Sequence, residues 1–418
     1  MWNSIKSVAS LLASYGLLMV ANAMFGTLLG LRSKLEGFST EVTGVIMAGF
    51  FIGMLLGALY AVRVVASAGH IRSFAAFASI MSVAVLAHVL IIDPVAWFIL
   101  RAVTGFCMAG MVMIVESWLN ERSTNATRGR VLSLYMITNY LGAGSGQFLI
   151  TIANPDGFQL FSVASIIFSI ALVPILLTRA TVPRPSAPER MKFRDLIKIS
   201  PVGVAGTLIA GLTNSAINSM GPIFATSIGL SLGQISTFMA SILLGGMLLQ
   251  FPVGRLSDHF DRRTILISSA LATALISGGI VWAAAGHHVI ALFAFCLLYG
   301  GFCYTIYPMS SAQVNDLADQ NRLVQVSAGL LLAYGTGASI GPILASQIMG
   351  QVGPYGLFYY VIGCTLFLAG FTIIRVLQRP AGDKKAVFLP LGSLGSSSKQ
   401  LYSTVVRESR KRGTKKTD

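Results

Sequence analysis

Charge is what this chain is short of. Asp, Glu, Lys and Arg make up 11% of its 418 residues, 54% are hydrophobic and the mean hydropathy is +0.74. A soluble domain of this length could not bury so much apolar surface, so the chain reads as an integral membrane protein. Acids are scarcer still, 15 against 30 Lys and Arg. Only Glu116 falls inside an apolar run; Glu36, Glu41, Asp93 and Asp156 fall in loops on one face and the other acids on the opposite face. That leaves no carboxylate cage for sodium. Cysteine is rare as well. Cys107, Cys296, Cys303 and Cys364 sit in apolar runs without ligand spacing, which excludes a disulfide framework or metal site and leaves them as small packing residues. No nucleophile pairs with a base at membrane depth, so no enzyme and no cofactor is expected. The runs Gly142–Gly146 and Gly335–Pro342 lack the preceding strand and Lys of a nucleotide loop and read as surfaces where helices pack closely.

What is present is apolar runs of spanning length. Twelve are expected, at about 8–30, 42–66, 73–92, 95–119, 131–153, 158–178, 199–221, 232–254, 263–285, 288–312, 324–349 and 355–377. Placing them sends Arg32 and Lys34 to one face, Arg101 into the membrane and every other Lys and Arg to the opposite face. This asymmetry accounts for the net charge of +15 without nucleic acid, and it puts both termini in the cytoplasm. The first run, with Lys6 before it and Ala21-Asn22-Ala23 after Val20, imitates a cleavable signal peptide; it continues to Leu31 and is kept as a span. Residues 179–198, with six basic residues and three prolines, read as a cytoplasmic linker between bundles at 1–178 and 199–378. The basic stretch 379–418 reads as a disordered cytoplasmic tail, drawn at most to anionic headgroups. A partner-binding role for it stays open.

The halves repeat each other. Asn22 matches Asn214, an offset of 192; Gly105 matches Gly300, an offset of 195. Gly37-Phe-Ser matches Gly229-Leu-Ser, Gly53-Met-Leu-Leu matches Gly246-Met-Leu-Leu, Asn120-Glu121 matches Asn315-Asp316, and Gly142 with Gly146 matches Gly337 with Gly341. Two parallel repeats predict a pseudo-two-fold axis along the membrane normal. Between the eighth and ninth spans lies Gly254-x-x-x-Asp258-x-x-x-Arg262-Arg263. It resembles the loop signature of the major facilitator superfamily. Gly69-His-Ile-Arg and Glu116-Ser-Trp-Leu-Asn look like the YcaD-like branch of that superfamily, a bacterial inner-membrane group. The resemblance covers residues 1 to about 378 and implies two pseudo-symmetric six-helix bundles, alternating access, and a latch role for Gly254, Asp258, Arg262 and Arg263. The first-half copy of the loop, Arg63 to Arg72, lacks the Asp. Gln147 stands where drug antiporters of the superfamily carry a proline, which speaks against that substrate class.

Charges at membrane depth come first as candidates. Arg101 resembles the family's fourth-helix Arg and is expected to anchor an anionic solute or to partner a titrating group; the alternative is a structural Arg that snorkels or binds carbonyls. Glu116 lies fifteen residues on, about 22 Å along a helix and within about 60° of the same face. Arg101, Gly105, Met108, Val112 and Glu116 should therefore form one stripe turned to the interior. Glu116 is expected to couple protons or to pair with loop arginines. Helices 1, 4, 7 and 10 line the cavity of the resembled fold. Asn22, Arg101, Asn139, Asn214, Asn218, Tyr299 and Tyr307 are the candidate solute contacts, with interhelical hydrogen bonds as the alternative for each Asn and Tyr. The expectation is an all-α secondary transporter of twelve helices, monomeric in the bilayer, moving a small organic solute with protons and favouring export. A lipid flippase and a transport-dead sensor are the alternatives.

Overall fold

The computed structural model describes residues 2–123, 127–177, 191, 193–319 and 322–378. Among these, every regular element is helical: α1 (Trp2–Leu35), α2 (Thr40–Ala68), α3 (His70–Leu90), α4 (Pro94–Arg122), α5 (Arg128–Phe148), α6 (Gln159–Ile170), α7 (Val173–Leu176), α8 (Phe193–Ile199), α9 (Pro201–Ser227), α10 (Leu232–His259), α11 (Arg262–Ala285), α12 (Val289–Cys303), α13 (Ile306–Leu317), α14 (Leu323–Val352) and α15 (Gly356–Gln378). The expected tail, and the expected linker at 179–190 and 192, lie outside the described residues. Ten segments are long and apolar enough to cross a membrane, with α6–α7 and α12–α13 each counted as one span. An eleventh is α8 with α9, bent by 118°. The remaining expected span is α5, whose Asn139, Tyr140, Gly142, Gly144 and Ser145 dilute its apolarity. Large apolar side chains such as Ile290 and Leu275 point outward, as lipid contact requires.

Short polar devices set the helix boundaries. Ser39 caps α2 through the Val42 amide, and Asp93 caps α4 through the Ala96 amide with Pro94 in the first turn. Asp261 caps α11 through the Arg263 amide. The two matched tripeptides share a backbone conformation. Gly37 has φ 76° and Gly229 φ 83°, values that favour glycine, and each is followed two residues later by the serine that opens the next helix.

One compact unit comprises Met1–Ala187, Ser215–Ala240 and Pro342–Gly356 over their described residues. In it α2 packs on α4 and α1 on α5, and segments of the second sequence half join the first at one end. Gly30 of α1 faces Pro222 and Ile223, and Gly44 of α2 leaves no room for a Cβ beside Pro342 and Ser346. Buried Gln147 accepts from Thr27 Oγ1 at 2.6 Å on its side chain and from Ser236 Oγ at 2.8 Å on its backbone oxygen. The other unit comprises Pro188–Asn214, Ser241–Gly341 and Leu357–Asp418, again over its described residues; in it α11 packs on α12 and α13.

Both units contain the same glycine crossings. Gly53 abuts the Ala102 carbonyl and Gly105 the Phe50 carbonyl; Gly245 abuts Leu297 and Gly300 abuts Ile242 in the same way. Gly142 meets the Gly16 carbonyl as Gly337 meets that of Leu208. These pairs reproduce the offsets of 192, Gly53 to Gly245, and 195, Gly105 to Gly300. The match of Gly53-Met-Leu-Leu to Gly246-Met-Leu-Leu is therefore one residue out of register: the glycine that lets the carbonyl approach is Gly245. In lipid, where apolar burial gives no drive for helix association, such close backbone contact is a main source of packing energy.

Candidate functional site

The expected stripe on α4 is buried along its length: Arg101, Gly105, Met108, Val112 and Glu116 are all at most 6% exposed where a value is given. At its upper end the Arg101 guanidinium lies 4.5 Å from the ring centre of Phe50 on α2 and 5.6 Å from that of Phe25 on α1. The negative faces of the two rings attract the cation. Its Nε and Nη1 have no hydrogen-bond partner among the described residues. Phe25 also meets His88 of α3 edge-on at 5.2 Å. His88 is buried, donates Nδ1–H to the Ala84 carbonyl at 2.7 Å and leaves Nε2 unpartnered among the described residues. Trp97 ties the start of α4 to the end of α3, its Nε1–H shared between the carbonyls of His88 at 3.0 Å and Ile91 at 2.7 Å.

The lower end of the stripe is built differently. Tyr135 of α5 donates its hydroxyl to Glu116 Oε1 at 2.7 Å and stacks on Tyr15 of α1 at 4.3 Å. Asn139, one turn from Tyr135, is fully buried with neither amide atom partnered among the described residues. A buried amide without protein partners is costly to desolvate. Asn22 and Asn218 are half-buried.

In the second unit the candidates form a neutral network. Cys303 Sγ lies 3.4 Å from Tyr299 Oη and 3.5 Å from Asn214 Oδ1. The amide oxygen can only accept, so the thiol proton goes to it and the tyrosine hydroxyl donates to sulfur. Asn214 Nδ2 reaches the Tyr334 hydroxyl at 3.5 Å, and Tyr334 meets Tyr307 edge-on at 5.0 Å. Packing describes Cys107 and Cys296, whereas Cys303 also connects two polar candidates. The break between α12 and α13 falls between Tyr299 and Tyr307.

At the signature turn Gly254 is buried and Asp258 partly exposed. Arg262, 2% exposed, donates from Nε to Asp316 Oδ2 at 2.7 Å and from Nη1 to Ser257 Oγ at 3.0 Å, with Asp258 Oδ1 at 3.5 Å. Arg263 pairs with Asp261 at 3.1 Å. These acids offset the cost of two cations at a helix N-terminus. Sequence reasoning passed over Asp316, though it had marked the residue as the repeat of Glu121. It also passed over His88, which a search of the spans for bases as well as acids would have found.

Comparison with known proteins agrees with this architecture. The family model described as Major Facilitator Superfamily matches residues 11–202 and again 203–408. The MFS-type transporter YcaD of Escherichia coli is 27% identical over 379 residues, covering 90% of this chain and 96% of its own; the protein of that name in Shigella dysenteriae matches to the same degree. Among solved structures, the nucleoside transporter NupG superposes with a TM-score of 0.71 at 12% identity, covering 90% of this chain and 99% of its own. A D-xylose-proton symporter gives 0.66 at 13%, covering 87% and 96%. These structural likenesses carry the fold, and the sequence matches carry the membership: the chain belongs to the major facilitator superfamily.

Proposed function

We propose that the protein is a secondary active transporter that moves a small organic solute across the bacterial inner membrane by alternating access, coupled to protons and working as a monomer in the direction of export. The observation that carries this reading is α4. Its buried face holds two charged side chains at membrane depth, Arg101 among aromatic rings and Glu116 against Tyr135, and charges there are usually reserved for substrate and ion handling. Glu116 is the proton-coupling group, with Arg101 its electrostatic counterpart. Arg101, Asn22, Asn139, Asn214, Asn218, Tyr299 and Tyr307 are the solute contacts. Gly254, Asp258, Arg262 and Arg263 act as the latch of a cytoplasmic turn, and the excess of Lys and Arg on that face supports cytoplasmic termini.

The test is in two steps. A thermal-shift screen of purified protein against a solute library identifies a ligand, because bound ligand raises the unfolding midpoint. Flux of that ligand is then followed in proteoliposomes under a pH gradient. Glu116→Gln should abolish gradient-driven accumulation and retain counterflow. Accumulation at the wild-type level in Glu116→Gln would remove Glu116 from the coupling.

A further inference from the structure

Two buried groups of the first unit share one phenyl ring, and their chemistry is complementary. Arg101 supplies N–H donors without partners and a fixed positive charge. His88 supplies an imidazole whose Nδ1–H is committed to Ala84, so that Nε2 is its free basic atom. Phe25 lies against both, 5.6 Å from the guanidinium carbon and 5.2 Å from the imidazole centre. Among the described residues, the charged side chain facing His88 is Arg101 of α4. The ring contacts around the pair come from Trp97 of α4 against His88, Phe25 of α1 with Phe161 of α6 against it, and Phe50 of α2 at the guanidinium.

We propose that Arg101 and His88 form a binding site for a small monocarboxylate carried on a flat apolar body, bound together with a proton on His88 Nε2. The aromatic walls select the flat body. The rings meet the cation through their π faces, and the unpartnered Nε and Nη1 N–H groups are the donors for the carboxylate. With His88 neutral the site holds one positive charge; a proton on Nε2 adds a second and turns that nitrogen into another donor, so proton and carboxylate bind each other's form of the site more tightly. A phosphate dianion would need a wetter and more highly charged site than these walls make. This inference rests on the reading of the chain as a solute transporter and names the class of solute.

The experiment is equilibrium binding to the purified full chain, read by thermal shift, with benzoate as probe and benzamide as its uncharged counterpart. Benzoate stays ionised at about pH 5.5 and above, so any pH dependence belongs to the protein. Wild-type protein should bind benzoate about tenfold more tightly at about pH 5.5 than at about pH 8 and give no response to benzamide. His88→Gln should bind benzoate equally at both pH values, and Arg101→Met, which keeps an apolar stem over the rings, should lose the response. Equal responses to benzoate and benzamide, no response in wild type, a pH dependence that survives in His88→Gln, or an intact response in Arg101→Met would each overturn the site. The benzoate–benzamide comparison needs no variant to fold. Failure here alongside gradient-driven flux of another solute leaves the transporter reading standing; benzoate binding without flux of any ligand overturns that reading alone.

Discussion

The two repeats share a packing frame and differ in where they keep their charge. In the first, Arg101 and Glu116 lie in the buried face of α4, while the turn at Gly69-His70 has neither the Asp nor the Arg pair of its counterpart. In the second, the positions 195 residues on are Cys296 and Ser311, both buried and uncharged, and the ion pairs gather at the turn around Arg262, Asp258 and Asp316. His88 likewise has only Ile280 or Ala283 opposite it, at offsets of 192 and 195. Duplication preserved the glycine contacts because a Cβ there would collide with backbone, and it left the side chains between those contacts free to diverge. The first repeat thus keeps its charges on the buried face of α4, and the second keeps them at the turn.

The sharpest way to break that comparison is at the turn. Arg262 and Asp316 are both buried and pair at 2.7 Å, so Asp316→Asn takes the near carboxylate from a cation that keeps Asp258 at 3.5 Å; it should cost about 3 kcal/mol, seen as a lowered unfolding midpoint in detergent. The repeat-related Glu121 is exposed, and Glu121→Gln should change stability by less than about 0.5 kcal/mol. Equal effects at the two positions would mean that the turns do the same job.

The packing frame makes a middle-sized prediction. Gly53→Ala and Gly245→Ala both push a methyl group into a carbonyl of the facing helix, and each should destabilise by about 1–3 kcal/mol. Gly233→Ala, at a position with open space, should fall well below both. A near-neutral Gly245→Ala would return the repeat register to Gly246.

What the sequence disclosed follows from the range of its signals. Apolar runs, the one-sided distribution of Lys and Arg and the glycine offsets are local or periodic, and they were enough for a twelve-helix fold of two repeats. Arg101 and Glu116 were legible because a charge in an apolar run is rare, and a 3.6-residue period places both on one face. The identical Gly-Met-Leu-Leu strings misled by one residue, since identity along a chain does not show which glycine meets a carbonyl across a crossing. The partnerships themselves were out of reach. Arg262 and Asp316 are 54 residues apart, and Cys303 and Asn214 are 89 apart. His88 and Arg101 both lie against Phe25 of another helix. No periodicity encodes such pairings; they follow from how the helices pack.

The smallest prediction separates the polar part of the second repeat from its packing. Cys296→Ala and Cys303→Ala delete the same atoms from two fully buried positions on one helix, so the cavity cost is common to both. Only Cys303 has Tyr299 and Asn214 against its sulfur, and hydrogen bonds between membrane helices are worth about 0.6 kcal/mol on average. Cys303→Ala should therefore be the more destabilising by about 1 kcal/mol, and Cys303→Ser, which keeps a donor and an acceptor, should recover most of the difference. Unfolding midpoints of the three variants in one detergent measure this directly. If Cys303→Ala matches Cys296→Ala and the serine gives no recovery, the thiol holds neither Asn214 nor Tyr299. The neutral network then reduces to side chains that happen to be adjacent, and only the charged turn distinguishes the second repeat.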